Sequence, residues 1–126
     1  MKHIDTIYIV IGALYLVIGM PLGIAMGARE DMQFAPVHAH VNLVGFSAHC
    51  VFGLVYKAWP KLKTGGLAIA QFWLFVVGSP LFMVGIALTI RHGSPTLTIV
   101  GSALVLLGAL LFLVIAGRGL LQGSND

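Results

Sequence analysis

The stretch 36-PVHAHVNLVGFSAHCVFGLVYKAWP-60 decides how this chain is read. It is long and apolar enough to cross a bilayer, for which about 20 helical residues suffice. Yet it carries His38, His40 and His49. Imidazoles bind metals and protons, and polar groups are costly in hydrocarbon, so these side chains must meet protein, a cofactor or water.

Helical spacing sorts them. At about 100° per residue, His49 returns to within about 20° of His38 after three turns. Asn42, Gly45, Gly53 and Tyr56 fall within about 60° of the same line, whereas His40 faces roughly the opposite way. One stripe of this helix therefore reads His, Asn, Gly, His, Gly, Tyr. His38 and His40 lie near the start of the span, and the rise of ~1.5 Å per residue puts His49 roughly 16 Å deeper, near the midplane. The next apolar run travels back, so Arg91 and His92 are expected at the level of His38 and His40.

The rest of the chain agrees with a membrane setting. Of its 126 residues, 59% are hydrophobic and 9% charged, with mean hydropathy +1.01. A soluble domain devotes about a quarter of its residues to charge. Four apolar runs, 5–26, 37–59, 66–90 and 96–117, occupy most of the chain and leave one membrane domain with short connections. The first run is too long for a signal-peptide core and is expected to be retained. No strand pattern or repeat interrupts this series. The predicted fold is all-α: an integral membrane, antiparallel four-helix bundle, in contact with a lipid bilayer.

Charge sets the expected orientation. With the N-terminus cytoplasmic, Lys2, Lys57, Lys61, Lys63 and Arg118 lie inside and only Arg29 and Arg91 outside, which predicts both termini inside a bacterial-type inner membrane. The net charge of +3 is too small and too divided for nucleic acid, and suits a membrane surface. The single cysteine, Cys50, excludes an internal disulfide, and points about 100° away from His49.

Smaller signals complete the pattern. Asp5-Thr6 is expected to cap the first helix. Tyr8 and Tyr15 suit interfacial or packing positions. Gly19, Gly23 and Gly27, like Gly101 and Gly108, offer smooth faces for close helix approach. Ser79-Pro80 predicts a kink whose freed carbonyl needs a partner.

A lone membrane histidine is ordinarily an interhelical hydrogen bonder worth about 1 kcal/mol, but three in one span point further, to metal. Structural zinc wants about four N or S ligands, more than this chain readily supplies. Haem needs one or two axial imidazoles, an apolar slot and cations for its propionates. Gly45 and Gly53 would admit a flat ring, and Arg91 or Arg29 would meet propionates. The candidate cofactor-binding residues are His38, His40, Asn42, Gly45, His49 and Arg91, and the candidate metal ligands His38, His40, His49 and His92. Without a Cys-x-x-Cys-His motif the haem would be non-covalent haem b. The competing readings are a copper or zinc binding or transport bundle using the His38/His49 stripe, and a non-catalytic accessory subunit whose histidines only pack.

His38 followed by Gly45-Phe46 and 53-GLVYKAWP-60 resembles the second transmembrane helix of the catalytic subunit of haem-copper oxidases and nitric oxide reductases. The His-Ala-His start is also similar to haem- and copper-containing membrane proteins of nitric oxide tolerance. In the oxidase family an outer-side histidine of this helix ligates the low-spin haem. Counting back from Pro60 puts its equivalent between His38 and His40, and His40-Val41-Asn42 looks like the reductase His-x-Asn. The likeness covers about 25 of the 126 residues. The family's subunit has three pseudo-symmetric sets of four spans, and this chain looks like one set. What the resemblance implies is electron transfer or binding of O2 or NO at a histidine-ligated haem, a copper site, a redox partner, and a homo-oligomer, with a trimer rebuilding the full arrangement. The second axial ligand and the copper histidines lie on family helices that this chain does not match. No Asp, Glu, Lys or Arg sits mid-membrane, so a carboxylate proton relay is missing and turnover is not implied.

Overall fold

A computed structural model of the chain describes Met1 and residues 3–123. All secondary structure among these residues is helical: α1 (Ile4–Arg29), α2 (Ala35–His40) running through a π-helical segment (Val41–Ala48) into α3 (His49–Ala58), a short 3-10 turn (Pro60–Lys63), α4 (Gly66–His92) and α5 (Thr96–Gly123). Four stretches, Ile4–Arg29, Ala35–Ala58, Gly66–His92 and Thr96–Gly119, are long and apolar enough to cross a membrane. Their ends run a few residues past the hydropathy limits because turn geometry, not hydrophobicity, stops them. Glu30 and Gly93 close α1 and α4 in the left-handed conformation, at φ 51° and 70°.

The helices associate as two antiparallel pairs. In the first, Gly12 faces Cys50, Gly19 faces Asn42 and Gly23 faces His38, so α1 descends along the composite second span as that span rises. In the second, Gly108 meets Phe75, Gly78 meets Leu104, Gly101 meets Phe82 and Gly85 meets Thr98. Missing side chains let these backbones approach, the usual device where lipid supplies no hydrophobic driving force between helices. The glycine strips are thus occupied within the chain, except Gly27, which has no neighbour within 4 Å of a built Cβ.

Between the pairs lies an aromatic core. Tyr8, Phe52, Tyr56, Phe72 and Phe75 are buried, and Phe112 of α5 stacks on Phe52 at 4.1 Å. Polarity is arranged inside out: His49, Gln71 and Ser79 are 0% exposed, whereas Val17, Ile24 and Leu113 are 67–70% exposed. An apolar exterior this extensive calls for a cover, and lipid is the cover that the spans' length and composition suit. The Ser79 hydroxyl beside Pro80 donates to Phe75 O at 2.7 Å.

Asp5 does not cap α1. No side chain caps that helix, and Asp5 is instead ion-paired with Lys63 at 2.7 Å. The pair ties the start of α1 to the turn before α4, a link across 58 residues that local spacing does not reveal. At the same end, Lys61 and Arg118 border one cleft. Arg29 and Arg91 border another at the opposite end. The charge asymmetry read from the sequence is therefore present in three dimensions, with Lys2 outside the described residues.

Candidate functional site

The second span is where the sequence and the structure meet. Its eight π-helical residues, Val41–Ala48, lie between His40 and His49. Segments of this kind are rare and gather at functional sites. The predicted stripe survives the change of helix type: His38 and Asn42 rest on Gly23 and Gly19, Gly45 on Tyr15, and Gly53 on Ile9, Asp5 and Tyr8. Its partner is α1. The flat ring lying against Gly45 is the Tyr15 phenol, so within one chain that face is closed to a cofactor.

Each of the three imidazoles is held the same way. His38 Nδ1–H donates to Gly19 O at 3.0 Å, His40 Nδ1–H to Pro36 O at 2.7 Å, and His49 Nδ1–H to Val44 O at 2.9 Å. A carbonyl only accepts, so the hydrogen resides on Nδ1, and in the neutral imidazole Nε2 keeps its lone pair. Asn42 donates to His38 O at 2.9 Å and steadies the same turn. This is the outer-shell pattern of ligating histidine, in which the second ring nitrogen is fixed by a carbonyl and Nε2 is left basic.

The three differ in surroundings. His49 is fully buried, with its ring 5.0 to 5.5 Å from those of Tyr8, Tyr15 and Phe75, and its Nε2 has no partner. His38 is half-buried against α1. His40, on the opposite face as predicted, meets the Phe82 edge of α4 at 4.9 Å and is also half-buried.

Arg91 and His92 do not share their level. Phe82 lies ten residues before His92, which at ~1.5 Å per residue is about 15 Å along α4. The 27-residue α4 overshoots the second span, which starts only after the turn at residues 30–34. His92 is exposed at that far end. Arg91 reaches back over the Phe34 ring at 5.5 Å. There it lines an apolar cleft of about 370 Å³ with Leu22, Phe34, Val84, Ala87 and Leu88, next to a second cleft that adds Arg29. In that second cleft the two guanidinium groups sit with the Asp31 carboxylate and Gln33. No histidine lines the apolar cleft, and its nearest link to one is Leu22, beside the Gly23 on which His38 rests.

One functional candidate escaped the sequence. Gln71, fully buried on α4, accepts hydrogen bonds from Tyr8 OH at 2.9 Å and Tyr56 OH at 3.1 Å, while its Nε2 has no partner. A lone amide inside the 66–90 run was the available signal, since uncharged polar groups in spans also mark interior contacts. Among the described residues no group of three or more His, Cys, Asp or Glu is close enough to hold a metal ion. Among the described residues each imidazole therefore stands as a single potential donor, and no polydentate copper or zinc centre is formed.

These features define an all-helical protein with four potential membrane spans, built around a histidine-rich second span. The chain matches no protein-family model, no curated protein and no solved structure.

Proposed function

We propose that this chain is a haem-binding membrane protein, with His40 or His38 as axial ligand of a non-covalent b-type haem. It serves electron transfer or the binding of a diatomic gas such as O2 or NO. The observation that carries the reading is the common anchoring of the imidazoles, which spend Nδ1–H on a carbonyl and present a basic Nε2. Of the two, His40 is free of α1. His49, enclosed by aromatic rings, supports the core instead. Arg91 and Arg29 are the cations for propionates. A haem held by one of these imidazoles would supply reversible one-electron chemistry or, with one axial position left open, a binding position for a gas.

On this reading the chain is a minimal four-span bundle related to the haem-copper oxidase and nitric oxide reductase catalytic subunit. The closed pairing of the second span with α1 leaves a macrocycle no place between them, so the haem lies against the outside of the pair or between copies. A homotrimer would supply the second axial ligand and copper donors, and a redox partner would deliver electrons. Copper or zinc binding alone is the weaker reading, because among the described residues no three donors converge.

Absorption spectra of the detergent-purified protein, oxidised and reduced, test this directly. A Soret band that acid acetone removes from the polypeptide is expected. His38→Ala or His40→Ala should abolish it, and His49→Ala should not remove iron without also loosening the fold. Full haem in both of the first two variants, or no iron in the parent, sinks the proposal. Native mass spectrometry reads the assembly, and a haem-loaded monomer defeats the trimer. Orientation follows the basic end, so we place both termini in the cytoplasm. A cytoplasmic reporter fused after Asp126 should be active and a periplasmic one silent, and the reverse pattern would overturn this orientation.

A further inference from the structure

The basic end of the molecule holds two adjoining clefts that the histidine site does not use. One, of about 190 Å³, is bordered by Lys61, Thr64, Gly65 and Arg118. The other, of about 210 Å³, is an apolar groove between Val55 and Trp59 on one side and Phe112 and Ala116 on the other. Leu62 and Gly119 line both, so the clefts are continuous. The head of this depression is cationic and its tail is greasy. No carboxylate lines either part. The neighbouring Lys63 is already neutralised by Asp5, whereas Lys61 and Arg118 are exposed and make no ion pair among the described residues.

We propose that this depression binds one anionic phospholipid, its phosphate between Lys61 and Arg118 and one acyl chain along the Val55–Phe112 groove. Charge complementarity selects the headgroup, since basic pockets between spans attract anionic lipid. The groove selects a lipid over a free anion, because an inorganic ion leaves its apolar walls unfilled. Trp59, 59% exposed on the groove wall, suits the headgroup level, where tryptophan collects. The inference rests on the membrane setting alone and stands whether or not the chain holds haem.

Trp59 reports on the site. With Trp73→Phe as background it is the sole tryptophan of the two in the chain. The full-length protein in phosphatidylcholine vesicles is titrated with brominated phosphatidylglycerol or brominated phosphatidylcholine, and Trp59 quenching is read. The anionic lipid is expected to quench at a several-fold lower mole fraction. Each cation removed, Lys61→Ala or Arg118→Ala, should weaken that preference roughly fivefold. Lys57→Ala, which borders neither cleft, should preserve it. Equal quenching by both lipids overturns the proposal, as does a preference that survives in both single variants. Millimolar inorganic phosphate should leave quenching unchanged. Displacement of the brominated lipid by phosphate alone would reassign the site to a free anion and overturn the lipid assignment.

Discussion

Valine at Gly85 or Gly101 is expected to force α4 and α5 apart. A Cβ built at Gly85 overlaps the backbone of Thr98, and one at Gly101 overlaps the backbone of Phe82. Backbone atoms cannot swing aside as a flexible side chain can, so the helices themselves must move. Overpacking of this kind costs roughly 1–3 kcal/mol per site, and the two glycines are a turn apart on the same seam, so Gly85→Val with Gly101→Val should reach several kcal/mol. The control is Gly117, which has nothing within 4 Å of a built Cβ. Gly117→Ala should be neutral, or gain up to ~1 kcal/mol from helix propensity. Reversible unfolding in mixed micelles, followed by circular dichroism, ranks the three. If Gly101→Val unfolds no more readily than Gly117→Ala, close backbone approach is not what joins the pair.

Gln71→Leu is expected to be nearly as damaging, for a different reason. One oxygen, Gln71 Oε1, accepts from the hydroxyls of both Tyr8 and Tyr56, and both rings are fully buried. Leucine removes the acceptor and strands two hydroxyl groups away from water. Each stranded group costs about 1–3 kcal/mol, giving a loss of roughly 2–6 kcal/mol. The loss should be recoverable, because removing both partners of a buried hydrogen bond is far milder than removing one. The triple variant Gln71→Leu, Tyr8→Phe, Tyr56→Phe should therefore regain most of the stability lost. The same unfolding measurement checks it, and a triple variant no better than Gln71→Leu alone would show that shape, not hydrogen bonding, makes Gln71 important. This triad also joins α1, α3 and α4, so its loss should loosen the cage around His49.

The histidine segment shows how far local reasoning carries into a site. Helical spacing put His38, Asn42, Gly45 and His49 on one face and His40 on the other, and the contacts agree. Spacing says that such a face must be covered, but not by what. The cover at Gly45 is Tyr15, thirty positions earlier in the chain, where a cofactor ring was expected. Residue counting along each run assumes helix starts that are flush, and the level of His92 departs from it because α4 overshoots the start of the second span. The anchoring of every Nδ1 on a carbonyl depends on side-chain rotamers, on the π-helical segment in the case of His49, and on a tertiary approach to Gly19 O in the case of His38. None of these has a signature in residue order.

By itself the sequence determined four helices long and apolar enough to span a membrane, their limits to within a few residues, the charge asymmetry between the two ends and the polar stripe. Each of these depends on one segment's composition and period, quantities that hydrocarbon thickness and helix geometry make nearly independent of the rest of the chain. Tertiary structure alone decided which glycines meet which backbone, that Asp5 serves Lys63 and not a helix cap, and that Gln71 holds two tyrosines. In a bilayer, helix association has no hydrophobic gradient to follow and is settled by packing and hydrogen bonds between residues far apart in the chain. Such contacts exist only once the helices have met.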